Sequence, residues 1–175
     1  MYNGINISEF DLNIDKKTAR NILGLEEDLK IVLFIGRIVE QKGIQYLIGA
    51  SPNVISKIKN CLFLIIGEGW LLESMKRKVY ELGVNNHFKF LGHVSDEMLK
   101  VSIKASDVLV IPSIYEPFGI VALEGMAGRI PIVVSATGGL KEIVEDGVDG
   151  IYVNDVKNSE ELSNAIVRIL TDKEL

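Results

Sequence analysis

The sequence predicts an α/β fold, a doubly wound, Rossmann-like parallel sheet of about six strands with helices on both faces. Two observations support this prediction. Short apolar runs, typical of strands buried on both faces, alternate with longer segments in which apolar residues recur at helical spacing. Loops that contain glycine or proline follow several of the runs and lead into helices. Open sheets of this kind bind ligands at the carboxyl ends of their strands.

The predicted elements follow one another in a regular order. Strands are predicted at residues 31–35, 62–66, 87–91, 108–111, 131–135 and 149–153. Helices are predicted at 16–24, at 44–58, at about 70–82, after the N-cap Ser95, from Phe118 onward, within 137–145, and from the candidate N-cap Ser159 to about 170. Pro52 lies inside the second helix and predicts either a new helix start or a kink.

Composition narrows the class of protein. The chain has 175 residues, enough for one domain with a substantial core, and its formal charge of −5 argues against a nucleic-acid partner. Cys61 is the single cysteine, which predicts a core residue in a reducing compartment. No apolar run approaches a membrane span and no signal peptide is evident, so we expect a cytoplasmic protein without a transmembrane segment. Cys61, His87 and His93 make a poor metal site, and we expect neither metal nor cofactor.

The stretch from Pro112 to Glu124 is the centre of the functional prediction. It follows the strand at 108–111, turns, and enters the helix predicted from Phe118. A helix start has unpaired backbone N–H groups and partial positive charge, which favour a phosphate. Glu116 precedes the helix, and Glu124 lies inside it, about 9 Å along the axis from Phe118. One nucleoside-diphosphate sugar offers hydroxyls, a diphosphate and further hydroxyls in that layout. Alternatively, Glu116 caps a turn and Glu124 pairs with a basic residue.

Several residues of this stretch together resemble a known family signature. Seven residues separate Glu116 from Glu124, and the string comprises Pro112-Ser113, Glu116-Pro117-Phe118-Gly119 and Leu123-Glu124. It resembles the signature of retaining glycosyltransferases of the glycogen synthase, sucrose synthase and mannosyltransferase type, family 4-like enzymes with the two-domain GT-B fold. The resemblance implies that Glu116 holds hydroxyls of the donor sugar and Glu124 the ribose. It also implies substrate contacts at the helix start, from Phe118, Gly119, Ile120 and Val121.

The loop after the first strand carries two cations. Gly36-Arg37 and Lys42-Gly43 lie at the carboxyl end of that strand, where Arg37 supplies a planar fork and Lys42 a point charge. They resemble the family's Gly-Arg…Lys-Gly motif, which implies that Arg37 and Lys42 hold the donor phosphates. With Glu116 they form the predicted catalytic set, and Gly36 joins the predicted substrate-binding set. Alternatively, both cations are solvated loop residues.

Glycine turns complete the predicted site. A Gly-Glu-Gly turn follows the second strand, but Leu72 stands where a dinucleotide fingerprint needs its third glycine, so we discount NAD and FAD. The resemblance places this turn beside the nucleotide, the base against a valine, and a later glycine pair opposite the donor sugar. The residues concerned are Gly67, Gly69, Val94, Gly138 and Gly139. Alternatively, the glycine pair forms an ordinary tight turn.

The end of the helix that contains Glu124 departs from the family pattern. Gly125 replaces alanine, at a cost of about 1 kcal/mol in helix propensity. Arg129 stands where the family has a terminal glycine, a position that commonly needs a positive φ. We therefore expect a strained Arg129 or a cap shifted to Gly128.

The first residues resemble the family's interdomain junction, through Asn3-Gly4-Ile5-Asn6 followed by Phe10. The predicted boundaries are a junction segment at 1–12 and a single nucleotide-sugar-binding domain at 13–175, without the N-terminal acceptor domain. Alternatively, the first residues form a simple N-terminal turn.

We interpret the chain as the donor-binding domain of a retaining hexosyltransferase, with glycogen or starch synthesis as a candidate activity. The implied partners are a nucleoside-diphosphate sugar and a glycan or other hydroxyl acceptor, the latter bound through the absent N-terminal domain. We expect these 175 residues alone to be inactive. The alternatives are a noncatalytic nucleotide-binding α/β module, or a nucleotide-sugar epimerase or phosphorylase on the same fold.

Overall fold

The computed structural model describes residues 4–172, which form one six-stranded parallel sheet. The strands are β1 (Lys30–Ile35), β2 (Cys61–Ile66), β3 (Phe88–Gly92), β4 (Val108–Ile111), β5 (Ile132–Ser135) and β6 (Gly150–Val153). Their order across the sheet is β3-β2-β1-β4-β5-β6. The predicted doubly wound, Rossmann-like α/β fold is confirmed.

Helices cover both faces of the sheet. They are α1 (Lys16–Ile22), α2 (Ile44–Lys57), α3 (Leu72–Glu81), α4 (Asp96–Ala105), α5 (Ile120–Ala127), α6 (Leu140–Ile143) and α7 (Ser159–Thr171). Short 3-10 helices cover Ile7–Phe10, Glu40–Lys42 and Asn85–His87. Within residues 4–172, no helix combines the length and the apolar character needed to cross a membrane.

Two apolar clusters pack against the sheet, because successive residues of a strand point to opposite faces. Val32 and Phe34 of β1 belong to the cluster covered by α2, α3 and α7. Ile31 and Leu33 belong to the cluster covered by α1, α4, α5 and α6. Cys61 is buried in the first cluster, and burial raises the pKa of its thiol to about 12. A thiol that stays protonated is a poor nucleophile, so Cys61 is the core residue that the sequence predicted.

The strand order places a crevice between β1 and β4. The chain runs outward from β1 to β2 and β3, then returns to the other side of β1 as β4 and continues to β5 and β6. The helices that follow β1 and β4, α2 and α5, therefore lie on opposite faces of the sheet. In open α/β sheets, ligands bind at this switch point, outside the carboxyl ends of the strands. The predicted cations follow β1 and the Glu116 motif follows β4, so the fold brings both to this crevice.

α2 runs through Pro52 without interruption, so the new helix start considered there is wrong. Proline removes the N–H that would bond to the carbonyl four residues earlier, which belongs to Ile48. The hydroxyl of Ser51 donates to that carbonyl at 2.8 Å. The backbone oxygen keeps a partner, and the helix continues.

Two helix starts differ from the prediction. α5 begins at Ile120, and the start predicted at Phe118 is wrong, because Gly119 adopts a left-handed φ of 64° and forms the N-cap. The N-cap of α7 is Asn158, one residue before the predicted Ser159. The Asn158 side chain accepts the second and third backbone N–H groups of the helix, at 3.0 and 3.2 Å. The side-chain oxygen of Asn158 thus satisfies two N–H groups that have no partner within the helix, which fixes its start.

The other boundaries lie close to those predicted. α3 starts at Leu72, slightly later than expected, and α6 is confined to Leu140–Ile143. β3 begins at Phe88, because Asn85–His87 form a 3-10 helix. Ser95 is the N-cap of α4, as predicted, and its hydroxyl accepts a backbone N–H of the first turn at 3.3 Å.

The end of α5 has the strain that the sequence predicted. Arg129 has a φ of 56° and is the one non-glycine residue with positive φ in the described part of the chain. Gly128, immediately before it, is the C-cap of the helix. The left-handed conformation costs a non-glycine residue about 1–2 kcal/mol. Gly128 itself has a φ of −76°, so the expected shift of the left-handed position to Gly128 is wrong, and Arg129 takes the strained conformation.

The N-terminal segment docks onto helices of the second cluster. The predicted turn at Asn3-Gly4 falls partly outside the described residues. Asn6 caps the 3-10 helix Ile7–Phe10, which packs against α5. Glu9 Oε2 lies 3.0 Å from Lys100 Nζ of α4. These contacts tie the segment to the same helices that border the crevice.

Candidate functional site

The loops after β1 and β4 meet through an ion pair between Lys42 and Glu116. Lys42 Nζ lies 2.6 Å from Glu116 Oε2, and the two side chains are only 22% and 8% exposed. Gly43 follows Lys42 with a φ of 72°, and a Cβ on it would lie 1.8 Å from the Pro112 carbonyl oxygen. Only glycine lets the two loops approach this closely. The structure thus brings together two members of the predicted catalytic set.

Further donors hold the Glu116 carboxylate. Ser113 Oγ donates to Oε2 at 3.3 Å, and the backbone N–H of Gly119 donates to Oε1 at 3.4 Å. Glu116 therefore caps the chain that enters α5, as the alternative interpretation expected, and also pairs with Lys42. Sequence reasoning did not select Ser113 as a site residue, although it stands in the Pro112-Ser113 part of the motif.

The start of α5 carries backbone donors next to this carboxylate. Among residues 4–172, no acceptor is bonded to the N–H groups of Ile120 and Val121. Phe118 and Ile120 are exposed, so solvent or a ligand reaches this end of the helix. Unpaired N–H groups at the positive end of a helix suit an anion.

A cavity of about 340 Å³ opens along the carboxyl ends of β1, β2 and β3. Four predicted site residues line it, namely Gly36, Arg37, Gly67 and Val94. Gly67 has a φ of 133°, and a Cβ on it would lie 1.8 Å from the Gly36 carbonyl oxygen, so these loops touch. Arg37 is exposed and forms no ion pair with another described residue. Its guanidinium is therefore open to an anion.

Three predicted glycines pack loops together and do not line this cavity. A Cβ on Gly69 would lie 2.3 Å from the Ile38 carbonyl oxygen, so Gly69 lets the loops after β1 and β2 meet. Gly138, with a φ of 48°, lies against the Glu116 backbone, where a Cβ would come within 2.2 Å of the carbonyl oxygen. The N–H of Gly139 donates to that same oxygen at 2.8 Å. Gly138 and Gly139 thus support the Glu116 loop, and their contact with a sugar stays a prediction.

Glu124 lies half-buried on α5 and lines a second cavity, of about 250 Å³. Burial, and next the negative charge of Asp96, raise the pKa of the Glu124 carboxyl, against a smaller lowering effect of Lys100. No described residue donates a hydrogen bond to this carboxylate, and Lys100 is paired with Glu9. The basic partner considered as an alternative is therefore not found in residues 4–172. Glu124 remains an acceptor that a ligand can use.

The two cavities adjoin. Asp96 and Leu99, both on α4, line the one that contains Arg37 and the one that contains Glu124. Sequence reasoning missed Asp96 and Leu99, because their position between the two cavities depends on tertiary packing. The predicted residues therefore fall into three neighbouring places: Val94 and Arg37 line one cavity, Glu124 lines the adjoining one, and Lys42 pairs with Glu116 in the crevice between β1 and β4.

Cations, helix N–H groups and an open carboxylate border the crevice of this α/β domain, at the position where open α/β sheets bind their ligands. The family described as "Glycosyl transferases group 1" matches residues 15–175. The chain belongs to this family of glycosyltransferases.

Similar proteins agree with that assignment. An uncharacterized glycosyltransferase of Methanocaldococcus jannaschii is 45% identical over 175 residues, which cover 98% of this chain and 44% of that protein. Sucrose-phosphate synthase from Thermosynechococcus elongatus is 34% identical with a TM-score of 0.83, over 97% of this chain and 42% of that one. Anabaena HepE, in complex with UDP-glucose, is 27% identical with a TM-score of 0.88, over 99% of this chain and 48% of that one. The chain thus spans less than half the length of each of these proteins.

Proposed function

We propose that this chain is the C-terminal, donor-binding domain of a retaining GT-B glycosyltransferase, and that its ligand is a nucleoside-diphosphate sugar. The observation that carries the proposal is the Lys42–Glu116 ion pair at the switch point, beside the unpaired N–H groups of α5. The complex of Anabaena HepE with UDP-glucose supports a donor of this chemistry. Because the chain spans less than half of its relatives, the complete reaction is proposed for the whole protein.

Arg37, Lys42 and the start of α5 are assigned to the diphosphate. Glu116 compensates the charge of Lys42 in this structure. An entering diphosphate offers Lys42 a doubly charged partner, and Arg37 adds a planar fork from the neighbouring cavity. During transfer, negative charge grows on the departing diphosphate. Fixed cations and helix N–H groups at that position stabilise the charge and lower the barrier.

Glu116 is assigned to the donor sugar. Once Lys42 turns to the phosphates, the Glu116 carboxylate can accept hydrogen bonds from sugar hydroxyls. Ser113 and the Gly119 N–H continue to hold the carboxylate at 3.3 and 3.4 Å, so its position is preserved during the exchange. A carboxylate oriented in this way fixes the sugar relative to the diphosphate, which reduces the entropy cost of transfer.

Glu124 and Val94 are assigned to the nucleoside. A ribose carries two neighbouring hydroxyls, and Glu124 is a half-buried carboxylate with no donor among the described residues. Hydrogen bonds from these hydroxyls would satisfy it. The base is assigned to the adjoining cavity, beside Val94. Gly36 and Gly67 also line this cavity and have no side chains that would fill it.

The acceptor requires a second domain in this proposal. We assign residues 13–175 to the donor domain and 1–12 to the junction, in keeping with the contact between Glu9 and Lys100. Transfer of a hexosyl group to a glycan or other hydroxyl acceptor then takes place between the two domains. Glycogen or starch synthesis is the candidate activity. Orienting the acceptor supplies several kcal/mol of a typical barrier. We therefore expect this chain to bind a donor without transferring its sugar.

A thermal-shift panel of nucleoside diphosphates and their sugars tests the proposal, because a ligand of the folded state raises the melting temperature by mass action. The panel compares the wild type with Lys42→Ala and with the control Lys59→Ala, an exposed lysine at the amino ends of β2 and β3. We expect at least one compound to stabilise the wild type and the control, and to stabilise Lys42→Ala less. A sugar-transfer assay on the same samples should show no product. Sustained transfer by this chain would contradict its assignment as a donor domain.

A further inference from the structure

Trp70 is exposed on the edge of the sheet that carries the proposed donor site. It is the only tryptophan of the chain and is 71% exposed. It follows β2 by a few residues, just after Gly69, and its indole N–H donates to Glu40 Oε2 at 3.0 Å. Neither residue belongs to an apolar cluster, and neither has a role in the proposed binding of the donor.

Backbone hydrogen bonds fix the loop that carries Trp70. The N–H of Ile38 donates to the Glu68 carbonyl at 2.8 Å, and the N–H of Leu71 donates to the Ile38 carbonyl at 3.1 Å. Gly69 also lies close to the Ile38 carbonyl. The loops after β1 and β2 are therefore joined on both sides of Trp70. An aromatic ring on a fixed backbone loses little conformational entropy when a ligand packs on it.

Glu40 connects this pair to the proposed donor site. Glu40 begins the 3-10 helix that ends at Lys42, so the carboxylate and the phosphate-binding lysine belong to the same short turn. The side chain of Glu40 is exposed, and in residues 4–172 its one hydrogen-bonded partner is Trp70. One carboxylate oxygen is thus bonded to the indole, and the other is open to a further donor.

An exposed indole next to an open carboxylate has the chemistry that binds a pyranose. The C–H face of a sugar ring packs on an aromatic face, while hydroxyls at the ring edge donate to the carboxylate. We propose that Trp70 and Glu40 form a subsite for a pyranose ring of the acceptor. The proposal rests on the function proposed above and names the acceptor as a glycan. A glycan held here lies at the rim of the donor site, beside the turn that carries Lys42.

The single tryptophan makes the test direct, since all indole emission comes from Trp70. The chain is titrated with methyl pyranosides of gluco, galacto and manno configuration and with maltotriose. We expect a saturable change in emission with at least one sugar, with a Kd in the range of about 1–10 mM. Glu40→Gln should weaken that binding about threefold or more, because a charged acceptor is lost. The matched control is Tyr80→Ala, which removes another exposed aromatic side chain, on α3, and should bind as the wild type does.

Three outcomes would overturn the subsite. The first is that no sugar gives a saturable change in emission, and the second is that Glu40→Gln and the wild type bind the sugars with equal affinity. The third is an emission that does not depend on sugar but shifts with protein concentration, which would show that a second copy of the chain covers the ring. Calorimetry with nucleoside diphosphates separates this proposal from the previous one. Trp70→Ala should retain that binding. If no nucleoside diphosphate binds while sugars still change the emission, the proposed function fails and the pyranose subsite stands without an acceptor role.

Discussion

Lys42 Nζ lies 2.6 Å from Glu116 Oε2, although the two residues are 74 positions apart in the chain. This ion pair spans the crevice between the loops that follow β1 and β4. It places a cation and a carboxylate, both mostly buried, where a diphosphate sugar would need one of each. In the proposed binding of the donor, this pair exchanges partners, so that Lys42 would move to the phosphate and Glu116 to the sugar.

Removal of either cation should weaken the diphosphate contact selectively. Arg37→Ala and Lys42→Ala should each reduce the binding free energy of a nucleoside diphosphate by about 1.5–3 kcal/mol, the range for hydrogen bonds to charged groups. The corresponding nucleoside should bind nearly as to the wild type. Calorimetry measures both ligands, with Lys59→Ala as the control. Equal losses for nucleoside and diphosphate would contradict the phosphate assignment.

Glu116→Gln should distinguish the contribution of the sugar to binding affinity from the contribution of the diphosphate. The amide no longer pairs with Lys42, so the lysine is free for phosphate and the diphosphate should bind at least as tightly as to the wild type. The additional affinity that the attached sugar provides should be lost, since a neutral amide is a weaker acceptor than a carboxylate. Calorimetry with and without the sugar gives this difference. A mutant that retains the sugar's full contribution would exclude Glu116 as its partner.

Glu124→Gln should raise stability at neutral pH. Burial and the charge of Asp96 raise the pKa of Glu124. At pH values just above the ordinary pKa of a carboxyl, the native state therefore binds more protons than the unfolded chain. Stability therefore falls as pH rises through that window, and an amide that cannot ionise removes the penalty. The mutant's melting temperature should exceed that of the wild type at pH 7, and the gain should vanish near about pH 4. Glu81→Gln, at an exposed position, should show no such pH dependence.

The same substitution tests the ribose assignment. Because the ribose is present in both ligands, Glu124→Gln should weaken nucleoside and nucleoside diphosphate alike. That pattern differs from the one expected for Lys42→Ala. A Glu124 mutant that binds the nucleoside normally would remove Glu124 from the site.

Arg129→Gly should stabilise the fold. Arg129 has a φ of 56°, and glycine adopts this conformation without the steric cost. The free energy of unfolding, measured by denaturant titration, should rise by about 0.5–1 kcal/mol. Arg129→Ala keeps the Cβ and should give no comparable gain. A similar gain for both would show that the side chain, and not the backbone, is the source of strain.

The sequence predicted the fold because its strands are short, apolar and separated by readable turn residues. It selected Lys42 and Glu116 through motifs, although their ion pair required the loops after β1 and β4 to meet. The close approach of Gly43 to Pro112, which permits that meeting, depends on tertiary packing and was missed. The position of Asp96 between the two cavities also depends on tertiary packing and was also missed.

Local errors had local causes. Gly119 in a left-handed conformation delayed the start of α5, and Asn158 took the cap expected of Ser159. The Ser51 hydroxyl satisfied the carbonyl that Pro52 left without its N–H partner, so the helix was not divided. These outcomes depend on a backbone conformation at Gly119 and on side-chain hydrogen bonds at Asn158 and Ser51, which the apolar pattern does not encode.

The position of the donor site is the central claim, and glycine amide resonances report it directly. On addition of the nucleoside diphosphate that binds best, the ¹H–¹⁵N signals of Gly36, Gly67 and Gly119 should shift, because they lie at the carboxyl ends of β1, β2 and β4 or at the start of α5. Gly24 and Gly147, which precede β1 and β6 at the opposite edge, should stay in place. Shifts confined to Gly24 and Gly147, or none with any nucleoside diphosphate at millimolar concentration (about 1–5 mM), would contradict the account.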